Sequence, residues 1–166
     1  MKPSLFHMTL CMLRIEDTEG VQEATQMMRD LEADLRTILE GSENAIRLRV
    51  GELSTFGQRV LYANVTPEPF DAFSLVMSAI QSKVSECSDK VQPNNKFGFV
   101  PHMTLVKVNR PVARARHSKY LPSKYYEEHL HDQLGVQPFN NLHLCVIDDQ
   151  TRLSDGFYHT LHQSQF

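Results

Sequence analysis

The tetrapeptide His-Met-Thr-Leu occurs twice in this chain, at residues 7–10 and again at residues 102–105. Both copies lie in stretches rich in apolar and β-forming residues, which predicts strands over residues 5–15 and 99–108. Because successive side chains of a strand point to opposite faces, the histidine and the threonine of each copy share one face. If the two strands lie side by side, two imidazoles and two hydroxyls converge on one cleft.

The rest of the chain predicts a mixture of helices and antiparallel strands. The expected elements are a helix over residues 17–41 that ends at Gly41, strands over 45–53 and 59–65 joined by a turn at Phe56-Gly57-Gln58, a helix opened by Thr66-Pro67 and running to residue 84, a loop over 92–96, a short helix over 122–134, and strands over 142–147 and 156–161. This order predicts an α+β fold, and a chain of 166 residues is expected to form a single domain, or two small lobes that share one core.

Composition excludes several classes of protein. The chain is 41% hydrophobic, so it can bury a core and does not have the composition of a disordered protein. Its apolar runs are far shorter than the ~20 residues that span a bilayer. The first 20 residues do not fit a secretory signal, because their apolar part contains a histidine and is soon followed by charged residues. Three cysteines without CxxC spacing favour reduced thiols, and hence the cytoplasm, with the nucleus as a possible second location.

Charge is unevenly distributed along the chain. The net charge is only −3, yet residues 107–124 contain six bases and no acid. Such a run predicts either a solvated loop or a rim that attracts phosphate. Arg110 lies in this run, just beyond the second motif, and is a candidate for binding a polyanion. Lys107 is expected on the face opposite His102 by strand alternation, unless the strand bulges.

The residues of the two motifs suit chemistry at a phosphodiester. Cleavage needs a base on the attacking oxygen and an acid on the leaving oxygen, and histidine can serve as either near neutral pH. His7 and His102 are therefore the candidate acid–base pair, and each such proton transfer is typically worth ~10²–10⁴-fold in rate. The hydroxyls of Thr9 and Thr104 can donate hydrogen bonds to the non-bridging oxygens, where charge develops.

This pair of motifs resembles the 2H phosphoesterases, a superfamily named for two His-x-Ser/Thr motifs that includes LigT-like RNA phosphodiesterases. Pro101 before the second motif is also frequent in that family. Three later segments resemble the central domain of the A-kinase anchoring proteins: Tyr-Leu-Pro-Ser-Lys-Tyr-Tyr-Glu at residues 120–127, Leu-His-Leu-Cys at 142–145, and Asp-Gly-Phe-Tyr-His at 155–159. The resemblance covers residues 6–159.

The resemblance implies a bilobal α+β fold with antiparallel sheets, flanking helices and a central cleft, with one motif in each lobe. It implies cleavage of 2′,5′-linked oligonucleotides or of 2′,3′-cyclic phosphates without a metal or another cofactor, and some relatives bind nucleoside monophosphates such as AMP. In the anchoring proteins the kinase-docking helix lies beyond this domain, so kinase anchoring is not expected of this chain. A strand usually precedes the first motif in that family, and this chain has only residues 1–5 there, so we expect either that the fold tolerates the loss or that the strand was cut away.

Three further residues are candidates for contacts with the substrate. Tyr158 could stack on a nucleotide or donate a hydrogen bond to it, Phe56 could cover a base, and Arg110 could attract a phosphate. The remaining histidines have no spacing typical of metal ligands, so no metal site is expected.

The sequence therefore predicts a metal-independent phosphodiesterase that cleaves 2′,5′-linked oligoadenylates or short RNA with two histidines. Three other interpretations stay open. The chain could act on 2′,3′-cyclic phosphate ends of RNA, or it could be a non-catalytic module that binds nucleoside monophosphates. It could also be a scaffold whose acidic helix binds a partner protein, although that helix needs its apolar stripe for its own core.

Overall fold

A computed structural model describes residues 5–40, 45–95 and 98–166, with only the backbone described at residue 149. The chain divides into two compact units. The first contains residues 5–9 together with Leu48–Thr66 and Val100–Gln137, and the second contains the described residues of Leu10–Arg47, Pro67–Phe99 and Pro138–Phe166. The prediction was one motif in each lobe. In the structure, both motif histidines lie in the first unit.

The described elements are helices and antiparallel strands mixed along the chain. In chain order they are β1 (Leu13–Ile15), α1 (Thr18–Glu40), β2 (Arg47–Phe56), β3 (Val60–Glu68), α2 (Phe70–Glu86), β4 (Val91–Pro93), β5 (His102–Lys107), α3 (Arg110–Ala115), β6 (Gln133–Pro138), β7 (Asn141–Val146) and β8 (His159–Gln165). The α+β class predicted from the sequence is confirmed.

The first unit is built on a four-stranded sheet with the strand order β5-β3-β2-β6. Its core face carries Leu61, which packs with the buried Val108 and Leu121 and with the partly buried Leu53 and Ala113. By alternation, Ala63 and Val65 share this core face, and Val60, Tyr62 and Asn64 lie on the other face. The core therefore lies on one side of this sheet, and the opposite side is available for a site.

Pairing between β3 and β5 is antiparallel and contains one β-bulge. Tyr62 pairs with Thr104, whereas Leu61 pairs with Val106, so Leu105 is an extra residue in β5. On the other edge of β5, Met8 forms an isolated antiparallel bridge with Met103. This bridge brings the first motif to the same sheet as the second.

The second unit packs α1 and α2 against two small sheets, β1-β4 and β7-β8. Asp17 caps α1, because its Oδ1 accepts a hydrogen bond from the Gly20 N–H at 2.8 Å. α1 buries Leu31 and Leu35, and α2 buries Phe73 against the rings of neighbouring phenylalanines. The amphipathic spacing that predicted α1 is confirmed, although its predicted end at Gly41 lies outside the described residues.

Other predicted elements need correction near their ends. Of the strand predicted over residues 5–15, only Leu13–Ile15 is regular, because this segment pairs with β5 at Met8 and then with β4. Thr66 and Pro67 belong to β3 and do not start α2, which begins after Pro69. Residues 92 and 93 of the loop predicted over 92–96 belong to β4, and residue 96 lies outside the described residues. The last strand begins at His159.

The region after the second motif differs most from the prediction. Part of the basic run forms α3, which is capped by the Asn109 side chain accepting from the Val112 N–H. The helix predicted over residues 122–134 is replaced by two short 3₁₀ turns and the start of β6. Here the N–H groups of Glu52 and Leu53 donate to carbonyls of this segment, so pairing with β2 overrides the local helical pattern. Within the described ranges, no helix has both the length and the apolar character that crossing a membrane requires.

Candidate active site

Both His-Met-Thr motifs lie side by side in the first unit. The antiparallel bridge joins Met8 to Met103. One residue away on each strand, this register places His7 across from Thr104 and Thr9 across from His102. Alternation puts these four side chains on one face, with Cβ atoms of directly opposite residues about 4.5–5.5 Å apart. The bridge therefore brings the first motif beside β5, next to the second motif.

Each of the two imidazoles forms the same hydrogen bond to a backbone carbonyl oxygen. His7 Nδ1 lies 2.8 Å from the Leu5 carbonyl oxygen, and His102 Nδ1 lies 2.7 Å from the Val100 carbonyl oxygen. A carbonyl oxygen can only accept, so each Nδ1 carries the proton and donates it. This leaves Nε2 of each ring as the nitrogen that can take up or release a proton, and acid–base chemistry requires one such nitrogen.

The motif threonines present their hydroxyls on the same face as the histidines. Thr9 and Thr104 are both half-buried. Neither hydroxyl has a hydrogen-bond partner among residues 5–40, 45–95 and 98–166. A half-buried hydroxyl without a protein partner can donate to the oxygens of a bound anion.

Two aromatic rings enclose His102. Phe56 stacks on Tyr62, with ring centroids 4.1 Å apart and planes inclined by 22°. The His102 ring meets both rings edge-on, at centroid distances of 5.0 Å to Phe56 and 5.4 Å to Tyr62. These contacts limit the rotation of the imidazole about its side-chain bonds. The sequence predicted Phe56 as the first residue of a turn, whereas in the structure it is the last residue of β2, and it stays 38% exposed.

The strand next to the second motif contributes two residues that sequence reasoning missed. Tyr62 pairs with Thr104 and Asn64 pairs with His102, so both lie on the face of the histidines. Asn64 Nδ2 donates to the Glu52 carbonyl oxygen at 2.6 Å, which ties β3 to β2 beside His102. The alternation of Tyr62 and Asn64 with apolar residues was visible in the sequence, but the pairing of β3 with β5 was not.

The other predicted contact residues lie away from this group or in the other unit. Arg110 begins α3, whose Ala113 packs on the core face of the sheet, opposite the face of the histidines. Tyr158 belongs to the second unit, where the Arg152 guanidinium lies over its ring at 4.4 Å from the centroid. The roles proposed for Arg110 and Tyr158 in binding a substrate stay predictions.

Other histidines have different surroundings. Burial lowers the pKa of His143 in β7, where the imidazole meets the Phe157 ring edge-on. His129 Nδ1 pairs with Asp132 at 2.8 Å at the surface. Across the described part of the chain, no group of three or more His, Cys, Asp and Glu side chains is placed to hold a metal ion.

The arrangement in the first unit suits a tetrahedral phosphate. His7 and His102 occupy diagonal positions on neighbouring strands, which places their Cβ atoms roughly 7–8 Å apart. A phosphate between them would have one imidazole on each side and the two threonine hydroxyls beneath its non-bridging oxygens. The geometry supports acid–base chemistry or anion binding at phosphorus.

Comparison with known proteins agrees with this description. A family model described as "AKAP7 2'5' RNA ligase-like domain" matches residues 1–166. The match covers the full length of the chain and both His-Met-Thr motifs.

Proposed function

Since the chain belongs to the family of AKAP7 2′5′ RNA ligase-like domains, within the LigT-like 2H phosphoesterases, we propose that it cleaves the phosphodiester of 2′,5′-linked oligoadenylates. The family supports a phosphodiesterase that acts on RNA or nucleotides in general terms. One observation carries the proposal furthest: both motif histidines donate through Nδ1 to a carbonyl oxygen two residues earlier, so both are set for proton transfer through Nε2.

In the proposed reaction, one histidine acts as a base and the other as an acid. The neutral imidazole removes a proton from the attacking oxygen, which forms a bond to phosphorus. The protonated imidazole gives its proton to the leaving oxygen as the second P–O bond breaks. The attacking oxygen is that of water, or that of the free 3′-hydroxyl beside a 2′,5′ linkage, in which case the first product is a cyclic phosphate.

The threonines and the aromatic rings assist this step without exchanging protons. The Thr9 and Thr104 hydroxyls donate to the non-bridging oxygens as negative charge grows on them. The stacked Phe56 and Tyr62 hold the His102 ring in one orientation, so its Nε2 stays aimed at the phosphate. The exposed side of Phe56 can in addition cover a base of the substrate. No step needs a metal ion or another cofactor.

A comparison of linkages tests the proposal. The purified chain is incubated in EDTA with 2′,5′-linked and 3′,5′-linked oligoadenylates, and the products are resolved by chromatography. We expect cleavage of the 2′,5′-linked substrate alone, slowed by about 10²–10⁴-fold in both His7→Ala and His102→Ala. His131→Ala is the matched control, because His131 is an exposed histidine outside the motifs.

The product ends identify the attacking group. A cyclic phosphate indicates attack by the neighbouring hydroxyl, and a linear phosphate at the earliest times indicates attack by water. Full activity in either motif variant, or complete loss of activity in EDTA, would refute the two-histidine mechanism.

Two other functions are distinguished by adding an oligonucleotide with a 2′,3′-cyclic phosphate end to the assay and by titrating AMP in calorimetry. A 2′,3′-cyclic phosphodiesterase would open a cyclic phosphate end and leave both internal linkages intact. A binding module would bind AMP in calorimetry and release no product from any of these substrates. We place the activity in the cytoplasm or the nucleus, where the three free cysteines would remain reduced.

A further inference from the structure

The β-bulge in β5 changes the face on which Lys107 lies. In an unbroken strand Lys107 and His102 would point to opposite faces of the sheet, as the sequence predicted. Leu105 is one extra residue in β5 relative to β3, and such an insertion reverses the alternation beyond it. The prediction that Lys107 faces away from the histidines is therefore corrected.

The pairing register gives the new face directly. Thr104 pairs with Tyr62, and Lys107 pairs with Val60. Tyr62 and Val60 are two positions apart in β3, so they share a face and their partners share it with them. Lys107 thus projects from the same face of the sheet as His102.

The ammonium group of Lys107 is available to a ligand. The side chain is exposed, and within residues 5–40, 45–95 and 98–166 it has neither an ion pair nor a hydrogen bond. By contrast, Lys83 and Lys90 of the second unit pair with carboxylates. Lys107 also opens the run of residues 107–124, which holds no acidic residue that could neutralise it.

The spacing indicates which phosphate Lys107 reaches. Two residue steps of β3 separate the partners of Thr104 and Lys107, which is about 7 Å along the strand. A phosphate that accepts a hydrogen bond from the Thr104 hydroxyl lies about 3 Å from it, so a lysine whose backbone is about 7 Å farther along can reach the next phosphate of an oligonucleotide with its flexible side chain. Lysine suits this task as a compact point charge.

We propose that Lys107 binds a second phosphate beside the scissile one, and that it makes the site prefer oligonucleotides with more than one phosphate. This inference rests on the proposed phosphodiesterase function and names part of its substrate specificity. Lys107 takes no part in proton transfer in this scheme.

Substrates that differ by one phosphate test the proposal. They are the 2′,5′-linked diadenylate with a single phosphate, and the same dimer with an added phosphate at its 5′ end or at its 2′ end. We expect wild type to show a kcat/KM about two- to fivefold higher for one of the phosphorylated dimers, the size of one exposed charge pair. Lys107→Met should remove this preference and leave cleavage of the plain dimer within about twofold of wild type.

A second variant separates the position of the charge from its mere presence. Val106→Lys/Lys107→Val keeps the composition and net charge but moves the ammonium to the opposite face. Val106 is already partly exposed, so the exchange is compatible with folding. This double variant should lose the preference just as Lys107→Met does, and Lys119→Met should keep it, because Lys119 belongs to the same basic run but lies outside β5.

The outcomes distinguish failure of this inference from failure of the proposed function. Wild-type cleavage with an unchanged preference in Lys107→Met, or an equal loss on all three dimers, would overturn the role of Lys107 alone. Retention of the preference by the double variant would do the same. If wild type cleaves none of the dimers, the proposed function fails, but calorimetric titration with the same dimers still tests the lysine. Tighter binding of a phosphorylated dimer by wild type that is lost in Lys107→Met supports its role. Equal binding of all three dimers by wild type, or a binding preference kept in Lys107→Met, overturns it.

Discussion

Phe56 meets His102 edge-on, with ring centroids 5.0 Å apart and planes inclined by 86°. The same phenylalanine stacks on Tyr62, so one ring both packs the sheet and orients the imidazole. Orientation of a general acid or base matters because proton transfer depends on a narrow range of donor–acceptor geometry. The site thus depends on an aromatic residue that exchanges no proton.

Phe56→Ala should therefore lower kcat while the protein still folds. Aromatic pairs of this kind are worth about 0.5–1.5 kcal/mol, which corresponds to about a two- to tenfold loss in kcat if the orientation of His102 depends on them. Phe56→Tyr should restore most of the rate, since it keeps the ring. Phe70→Ala is the control, because Phe70 is a more exposed phenylalanine of the second unit. Steady-state kinetics with equal rates in Phe56→Ala and Phe70→Ala would contradict the orienting role.

Removing a threonine hydroxyl should slow the chemical step. Thr9→Val and Thr104→Val keep the side-chain shape and delete the donor, and each should reduce kcat about 10- to 100-fold with a small change in KM. The reason is that the hydroxyl interacts most strongly with the non-bridging oxygens when charge develops on them in the transition state. Single-turnover measurements give the rate of the chemical step directly.

The serine variants provide the matched control for the hydroxyls. Thr9→Ser and Thr104→Ser retain a donor and should keep most of the activity. If the valine variants raise KM and leave kcat unchanged, the hydroxyls bind the substrate without favouring its transition state.

The dependence of kcat/KM on pH should reveal proton transfer by both histidines. With one imidazole acting as a base and the other as an acid, kcat/KM is expected to fall on both sides of an optimum, in buffer that contains EDTA. The residual activity of His7→Ala and of His102→Ala should each lack one of the two limbs. A single limb in wild type would mean that only one of the two histidines transfers a proton.

The juxtaposition of the two motifs could be predicted because the same tetrapeptide occurs twice in apolar surroundings, and Met8 does pair with Met103. The catalytic roles of His7 and His102, and the binding roles of their threonines, stay predictions. Helix α1 was equally accessible, since its apolar spacing and the Asp17 cap are local signals. The helix needs only the residues of one segment.

The features that could not be predicted depend on pairing between distant segments. Tyr62 enters the site only because β3 pairs with β5, and the face of Lys107 depends on the bulge in that pairing. Two 3₁₀ turns and the first two residues of β6 replace the helix predicted over residues 122–134, because N–H groups of β2 donate to carbonyls of that segment. Such registers follow from tertiary contacts that the sequence of one strand does not encode.

Acid should weaken the first turn of α1 through Asp17. The Gly20 N–H and then Lys90 hold the pKa of this carboxyl below its usual range. The stabilisation from the charged form is therefore complete above about pH 4 and is lost as the pH falls through the lowered pKa. In thermal unfolding between pH 7 and pH 3, wild type should lose stability at the acid end more steeply than Asp17→Asn.

Asparagine is the suitable control for this carboxylate. It still accepts a hydrogen bond from the helix N–H groups and has no charge to titrate, so the difference in Tm between the two proteins reports the charge alone. That difference should be constant above pH 5 and shrink below pH 4. Parallel Tm curves over the whole range would show that the Asp17 charge does not stabilise the fold.

Gly51 lies in β2 at a point where no side chain fits. A Cβ built on it would lie 2.6 Å from the Gln133 Oε1 and 2.9 Å from the Asp132 carbonyl oxygen. The Gln133 side chain can rotate away, but the Asp132 oxygen belongs to the backbone that joins this edge of the sheet through its hydrogen bond from the Glu52 N–H. Gly51→Ala should therefore lower the free energy of unfolding by about 1–3 kcal/mol, measured by urea denaturation.

Two further variants locate the cause of that loss. Gly51→Ala/Gln133→Ala should recover only part of the stability, because the clash with the backbone oxygen remains. Gly98→Ala is the matched control: apart from its chain neighbours, no atom of the described residues lies within 4 Å of its added Cβ, so its unfolding free energy should stay within about 0.5 kcal/mol of wild type. If Gly51→Ala is as stable as Gly98→Ala, β2 and β6 can separate at this point without cost. If instead the double variant recovers fully, the Gln133 side chain alone excludes a larger residue at position 51.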